Sequence, residues 1–381
     1  MKYTLILLLM ISFSFPVSAQ RTINASLMHN GIQRSYILYI PAIYDGSTNV
    51  PLVLNFHGFG SNANDQMRYG DFRSIADTEG FLLVHPQGTL LNGRRHWNVG
   101  GFTIGSTADD VGFIETLIDE LAKQYTINLD RVYSTGMSNG GYMSFLLACQ
   151  LSEKIAAIAS VTGSMTPETY NTCNAQRPMP ILQIHGTNDR VVPYNGKIWL
   201  LPITWSLSIE DVISYWVDYN NCDTNPIIRT FPDKDPSDGS TIEHIIYNAG
   251  ANGLTTEHMK VIGGDHTWPG SVFNSRGTNQ DINASMEIWQ FFSRFDIHGA
   301  LSVNEFDNKP VTIYPNPTNS TINLSLNYTE ELDYKLFSPL GKQLITGIIK
   351  SNNQKIDLSN LPPNLYYLKL GNQVFKILKF N

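Results

Sequence analysis

The sequence has few cysteines, lacks common metal-binding motifs and has no excess of basic residues. It has three cysteines in 381 residues, and no C-x-x-C or H-E-x-x-H spacing suggests a metal site. The net charge is −7, whereas a surface that binds phosphates needs an excess of Lys and Arg. We therefore expect no metal, no cofactor and no nucleic-acid partner.

Long apolar runs are also absent beyond the N-terminus, so no transmembrane helix is predicted there. Residues 1–19 have the pattern of a signal peptide, with Lys2 at the start, an apolar core at 5–15 and small residues before Gln20. The apolar core is too short to span a bilayer. We expect a mature protein that is exported.

The few cysteines allow one disulfide in an oxidising compartment. Cys149 ends a predicted helix, and Cys173 lies in the loop that follows it. We therefore predict that these two are paired and that Cys222 is left over.

The chain does contain a regular alternation of apolar strands and amphipathic helices. The predicted strands cover residues 36–40, 52–56, 81–84, 132–135, 155–161 and 181–184. Several are almost continuously apolar, as in a parallel sheet that is covered on both faces. The pattern predicts an α/β fold whose ligand lies beyond the carboxyl ends of the strands.

A different pattern begins near residue 310. Short alternating strands, separated by turn signals, replace the helical period and predict a small all-β domain. Residues 309–381 carry a net charge of +4, against −7 for the whole chain, which suggests separate tasks. We predict a signal peptide at 1–19, an α/β domain at 20–298, a linker at 299–309 and a β-sandwich domain at 310–381.

The most informative motif is Gly-Met-Ser-Asn-Gly-Gly at residues 136–141. It lies between a strand-like run and an apolar helical run, which is the setting of a nucleophile elbow. Gly136 and Gly140 allow close backbone approach on either side of Ser138. The start of the following helix favours developing negative charge. Ser138 is therefore the candidate nucleophile.

A serine hydroxyl needs a base to remove its proton. His266 follows a predicted strand at 259–262, and Asp189 follows the strand at 181–184. Asp265 is a rival for the orienting acid, but neighbouring side chains in an extended loop diverge. The order Ser138, Asp189, His266 is the chain order of a hydrolase triad on an α/β sheet.

Two further pairs of residues complete the predicted site. The backbone N–H groups of Phe59 and Asn139 are predicted to bind the oxyanion. Trp97 and Trp268 are candidates for lining a substrate cleft, and packing in the core is the alternative for both.

These motifs together resemble a known group of enzymes. Residues 31–295 resemble the secreted esterases of the poly(3-hydroxybutyrate) depolymerase and feruloyl esterase type. The resemblance rests on residues 31–36, 51–58, 97–98, 109–113, 136–141, 185–189 and 266–270. It implies an α/β-hydrolase sandwich in which Ser138 is the nucleophile, Asp189 the acid and His266 the base.

The C-terminal residues resemble the type A sorting domain of the type IX (Por) secretion system. The matching segments are residues 314–317, 336–342 and 356–361. The resemblance implies a partnership with the type IX machinery, followed by release or attachment at the cell surface. The alternative is an ancillary carbohydrate-binding module.

The sequence as a whole predicts an exported serine esterase that acts through an acyl-enzyme. The expected substrates are plant-polysaccharide esters, such as feruloylated or acetylated xylan. A polyester depolymerase, a non-catalytic glycan-binding surface protein and a secreted peptidase are the alternatives.

Overall fold

The computed structural model describes residues 20–196, 205–273, 276–301, 312–325, 332–338, 342–349, 353–370 and 373–380. The chain divides into two compact units, one ending at Ala300 and the other beginning at Leu301. The predicted signal peptide lies outside the described residues, as do residues 302–309 of the predicted linker.

The strands of the first unit form one large sheet and two small ones. In chain order they are β1 (Arg21–His29), β2 (Ile32–Ile40), β3 (Val50–Phe56), β4 (Leu82–Pro86), β5 (Thr89–Leu91), β6 (Arg94–His96), β7 (Ile127–Met137), β8 (Ala157–Val161), β9 (Ile181–Gly186), β10 (Ile227–Thr230), β11 (Thr241–Tyr247), β12 (Thr256–Ile262), β13 (Phe295–Asp296) and β14 (Gly299–Ala300). The ten-stranded sheet has the order β1-β2-β4-β3-β7-β8-β9-β12-β11-β10. Its strands from β4 to β12 run parallel. Strand β14 takes up the first two residues of the predicted linker and pairs with β13.

Most of the helices described in this unit follow a residue whose side chain caps them. The helices are α1 (Ala63–Tyr69), α2 (Arg73–Glu79), α3 (Asp110–Gln124), α4 (Asn139–Gln150), α5 (Pro167–Asn171), α6 (Ile209–Tyr219) and α7 (Ala284–Phe292). Asp109 caps α3 and Ser208 caps α6, each accepting a backbone N–H with its side chain. No helix in the described ranges is long and apolar enough to cross a membrane.

Helices cover both faces of the large sheet. Along β3, Leu52 and Leu54 pack in the cluster that includes residues of α3 and α4, whereas Val53 packs in the cluster that includes residues of α7. Because neighbouring side chains point to opposite faces, a strand buried on both sides must be continuously apolar. The predicted α/β class is confirmed.

The second unit contains strands alone in its described part. They are β15 (Thr312–Tyr314), β16 (Thr321–Ser325), β17 (Leu332–Phe337), β18 (Gln343–Ile349), β19 (Asn353–Asp357), β20 (Asn364–Leu370) and β21 (Gln373–Lys379). One sheet has the order β15-β16-β19 and the other β18-β17-β20-β21. Leu324 from the first sheet and Leu336 and Leu368 from the second belong to one buried cluster. The predicted small β domain is confirmed.

Candidate active site

Ser138 lies at the sharp turn between β7 and α4. Its backbone has φ 53° and ψ −120°, a conformation that is costly for a residue with a side chain. A Cβ atom on Gly140 would overlap the carbonyl oxygen of Phe56, and one on Gly136 would lie 2.7 Å from that oxygen. The two glycines therefore allow β3, β7 and α4 to meet closely enough to hold this strained turn.

His266 and Asp189 are brought together from loops that follow neighbouring parallel strands. Asp189 follows β9 and His266 follows β12, and these strands pair directly. The distance between His266 Nδ1 and Asp189 Oδ2 is 2.7 Å. A carboxylate can only accept, so the Nδ1 atom carries the proton and the Nε2 atom is left free to act as a base.

Ser138 and His266 line the same cleft. Within the described residues, the hydrogen bonds of His266 go to Asp189 and, from its backbone N–H, to Asp265. None joins its imidazole to the hydroxyl of Ser138. Catalytic hydrogen bonds of this kind often tighten only when a substrate is bound. Asp265 thus contacts the backbone of His266, and Asp189 contacts its ring.

The Asp189 carboxylate is held by several donors. Its Oδ1 atom accepts the backbone N–H groups of Val191 and Val192, both at 2.8 Å. Its Oδ2 atom lies 2.7 Å from His266 Nδ1 and 3.3 Å from His185 Nε2. Burial alone would raise the pKa of Asp189, but the hydrogen bonds from His185 and His266 outweigh it and hold that pKa well below its usual range. The carboxylate therefore stays ionised.

His185 is a residue that the sequence did not assign to the site. Gln183 Nε2 lies 2.9 Å from both the Gly163 carbonyl oxygen and His185 Nδ1. An amide nitrogen can only donate, so His185 Nδ1 accepts and its Nε2 carries the proton. That proton points to the Val192 carbonyl oxygen at 2.9 Å and to Asp189. The position of His185 at the end of β9 was the signal that could have found it.

The turn after β3 has its peptide orientation set by His57. The His57 Nε2 atom accepts the backbone N–H of Gly88 at 3.0 Å, so Nδ1 carries the proton and donates to the Gly58 carbonyl oxygen at 2.8 Å. In a trans peptide the C=O and N–H groups point in opposite directions. The N–H of Phe59 therefore points away from His57. Burial lowers the pKa of His57 to about 4, so the ring is neutral at neutral pH.

Asn139 begins helix α4, so its backbone N–H belongs to the first helical turn, where donors have no partner within the helix. Its side chain is engaged elsewhere. The amide accepts the backbone N–H of Trp97 at 2.7 Å and donates to the Trp97 carbonyl oxygen at 3.0 Å. This double contact ties the start of α4 to the loop after β6.

The structure corrects the prediction that Trp97 and Trp268 line the cleft. Their exposed fractions are 0% and 1%. Trp97 Nε1 donates to the His57 carbonyl oxygen at 3.0 Å, and Trp268 Nε1 donates to Ser285 Oγ at 3.2 Å. Both indole rings are core residues, because their apolar faces are buried and their N–H groups find partners inside the protein.

The cleft itself has a volume of about 660 Å³. Besides Ser138 and His266, its lining includes Gly58, Phe59, Ser61, Asp65, Gln66, Arg68, Tyr69, Arg94, Met137, Val191 and Phe273. Tyr69 also accepts the backbone N–H of Trp268 with its hydroxyl, at 3.1 Å. Helix α1 is thereby joined to the loop that carries His266. Sequence reasoning missed most of this lining, because the residues come from segments that meet only in the folded chain.

Two further cross-links lie outside the lining of this cleft. A disulfide joins Cys149, near the end of α4, to Cys173, which follows α5, and Cys222 is a buried thiol. Arg34 and Asp110 form a buried ion pair at 2.5 Å, and the other oxygen of Asp110 accepts the Asn98 backbone N–H at 2.7 Å.

Comparison with known proteins shows which families the two units resemble. Residues 34–193 match the family described as esterase PHB depolymerase, and residues 312–379 match the secretion system C-terminal sorting domain. Residues 34–193 of the first unit are thus similar to esterases of the PHB depolymerase type. The second unit is similar to a secretion sorting domain, which indicates an exported protein.

Individual relatives share the region of the esterase domain. A bifunctional acetylxylan esterase/xylanase from Neocallimastix patriciarum is 29% identical over 287 residues, which cover 74% of this chain. Feruloyl esterase B from Piromyces equi is 30% identical over 199 residues, or 51% of this chain. This chain spans only 36% and 37% of the length of these two relatives.

A solved structure shows the fold of the first unit. The acetyl xylan esterase from Aspergillus awamori aligns with a TM-score of 0.50 at 14% identity, covering 71% of this chain and 99% of that chain. The predicted α/β-hydrolase sandwich is confirmed.

Proposed function

We propose that this protein is an exported serine esterase that hydrolyses carboxylic esters of plant polysaccharides. The observation that carries the proposal is the contact between Asp189 and His266 in a cleft that also contains Ser138 on a strained elbow. The similarity to an acetylxylan esterase and a feruloyl esterase supports this substrate class.

In the proposed reaction, each residue of the candidate site has a defined role. Ser138 Oγ attacks the ester carbonyl carbon while His266 Nε2 takes the hydroxyl proton, and the tetrahedral oxyanion binds the N–H groups of Phe59 and Asn139. Collapse of this intermediate expels the alcohol, which receives the proton from His266. Water then attacks the acyl-enzyme while His266 takes its proton, and collapse of this second intermediate releases the acid as His266 returns the proton to Ser138 Oγ. Asp189 stabilises the imidazolium in both halves of the reaction.

A fluorophosphonate probe tests the nucleophile directly. We expect labelling of the wild-type protein and of a Ser74→Ala control, whose serine is exposed on α2, and no labelling of Ser138→Ala. Ester hydrolysis by Ser138→Ala should fall by several orders of magnitude, as for other triads. Failure of the wild type to label would contradict the esterase proposal and favour a non-catalytic glycan binder.

A side-by-side assay tests the substrate class. Methyl ferulate, acetylated xylan and short hydroxybutyrate oligomers present the three ester types. The match to the PHB depolymerase family makes the hydroxybutyrate polyester the second candidate. Turnover of the oligomers alone would replace the polysaccharide proposal, and amide turnover equal to ester turnover would favour a peptidase.

The sorting domain completes the proposal. We infer that it engages the type IX secretion machinery, after which the esterase is released or attached at the cell surface. Its match over residues 312–379 supports this partner.

A further inference from the structure

Two arginine side chains line the cleft without an acidic partner. Arg68 comes from α1 and Arg94 from β6. Among the described residues, no carboxylate oxygen lies within 4.0 Å of either guanidinium. Unpaired cations in a cleft are unexpected in a chain with a net charge of −7. Their planar guanidinium groups match the geometry of a carboxylate.

Arg94 is positioned by the loop that carries the proposed oxyanion donor. Its guanidinium carbon lies 4.9 Å from the centroid of the Phe59 ring. Gly60 has φ +81°, and a Cβ atom there would lie 3.1 Å from Arg94 Nη2. The Gly60 N–H also donates to the Arg95 carbonyl oxygen at 2.7 Å. The β5–β6 hairpin is therefore joined to this loop, with one guanidinium beside Phe59.

The acidic residue among the described lining residues is already engaged. Asp65 Oδ2 accepts the side-chain amide of Asn62 at 2.5 Å, and the Asp65 backbone N–H donates back to Asn62 Oδ1 at 3.0 Å. This capping pair at the start of α1 uses one carboxylate oxygen of Asp65. The two guanidinium groups outnumber this one carboxylate, so the charged side chains of the lining leave an excess of positive charge to meet a substrate.

We propose that the cleft selects esters that carry a carboxylate near the scissile bond, and that Arg94 and Arg68 bind this carboxylate. The inference rests on the proposed esterase function and narrows its substrate class. The carboxylate can belong to the acyl part, as in a half-ester of a dicarboxylic acid. It can also belong to the alcohol part, as in a hydroxy-acid oligomer or a polysaccharide with uronic-acid branches.

Matched pairs of substrates separate these two sources. For the acyl part, the kcat/KM of mono-p-nitrophenyl glutarate is compared with that of p-nitrophenyl valerate, which has a methyl group in place of the carboxylate. For the alcohol part, acetylated xylo-oligosaccharides are compared with and without a glucuronic-acid branch. We expect the wild type to prefer the acidic member in at least one pair.

Three variants identify the group responsible for the preference. In Arg94→Gln the ratio of kcat/KM for the acidic and neutral esters should fall by about tenfold, because a charge-assisted hydrogen bond is lost. Arg68→Gln should lower the same ratio. Arg95→Gln removes an equal charge from the neighbouring residue, which is exposed and outside the cleft lining, and should leave the ratio unchanged. Added salt should weaken the preference in the wild type, and it should have a smaller effect in Arg94→Gln, where Arg68 alone remains.

Several outcomes would overturn the inference. These are equal rates on both members of both pairs, an unchanged ratio in Arg94→Gln and Arg68→Gln, or an equal fall in Arg95→Gln. A fall of the neutral and acidic rates together in Arg94→Gln would also overturn it, since that result shows support of the oxyanion loop alone. Absence of hydrolysis on all four substrates, with no fluorophosphonate labelling, refutes the esterase proposal itself.

Discussion

His185 shows how much of the candidate site depends on one buried side chain. It is wholly buried, its tautomer is set by Gln183, and its Nε2–H lies against the carboxylate that orients His266. Burial by itself would raise the pKa of Asp189. Without His185, the Asp189 carboxylate would remain buried but would lose one hydrogen-bond donor.

We therefore predict that His185→Leu moves the acid limb of the kcat/KM profile to higher pH. When the Asp189 anion is less stabilised, the Asp189–His266 pair binds a proton more tightly. His266 therefore stops acting as a base at a higher pH than in the wild type. His185→Gln keeps an N–H donor and should restore the limb towards the wild-type position. The measurement is the pH dependence of kcat/KM on a neutral ester. A profile that is lowered throughout but not shifted would show a purely structural role.

At this scale the sequence was informative about residue types and less so about contacts. Ser138, Asp189 and His266 were found because each follows a predicted strand in the order of a hydrolase, and their catalytic roles stay proposals. The role of His185 depends on Gln183 and on a carbonyl of another loop. No spacing along the chain predicts that these residues come together.

Among the elements, β12 is secured by a buried ionic cluster. Glu257 on this strand accepts His244 Nε2 from β11 at 2.8 Å, Arg294 Nη2 at 2.7 Å and Thr255 Oγ1 at 2.7 Å. Burial raises the pKa of Glu257, but its partners His244 and Arg294 outweigh this and lower the pKa to about 2. Because β12 leads into the loop of His266, the cluster also supports the site.

Glu257→Gln should destabilise the protein by ~2 kcal/mol at neutral pH, because the charge-assisted hydrogen bonds from His244 and Arg294 to the carboxylate are lost, whereas the partly exposed Arg294 stays hydrated. A depressed carboxylate pKa stabilises the fold above the unfolded pKa, and this contribution is lost as pH falls towards 2. The gap between wild type and variant in urea unfolding should therefore narrow in acid. Glu153→Gln, at an exposed residue, is the control. An equal gap at both pH values would contradict this account.

The disulfide between Cys149 and Cys173 closes a loop with a sequence separation of 24. Replacing both cysteines with alanine should cost about 3 kcal/mol, since the cross-link restricts the unfolded chain. Thermal unfolding with and without a reductant measures this. In a Cys222→Ala control, the response to the reductant should match that of the wild type. A melting temperature that does not respond to reduction would refute the prediction.

The prediction of strands failed where a strand is only slightly buried and only on one face. Strand β18 was not predicted, because the side chains of Gln343–Ile349 are mostly exposed or half-buried on an edge strand. In the first unit the prediction found β2, β3, β4, β7, β8, β9 and part of β12, which are mostly buried on both faces and therefore largely apolar. It missed the outer strands β1, β10 and β11 of the same sheet.

At the scale of the whole molecule, export and catalysis are predicted to belong to separate units. Each unit has its own buried cluster. A chain that ends after residue 301 should therefore keep its kcat/KM within about twofold, because folding of the first core needs none of the second. In the native host the same chain should remain inside the cell. Activity and antibody signal in the medium and on intact cells provide the measurement, and export of the shortened chain would contradict the assignment.

The sequence by itself determined the fold class, the two-part organisation and the chain order of the candidate triad. These features depend on local periodicity and on residues that directly follow strands, so they can be predicted without knowledge of distant contacts. Only the tertiary structure decided that Trp97 and Trp268 are core residues, that His185 supports Asp189, and that Arg94 lies beside Phe59 in the cleft. Such features arise where segments far apart in the chain pack together. The burial of a side chain and the position of a proton there depend on neighbouring residues that a local sequence pattern does not predict.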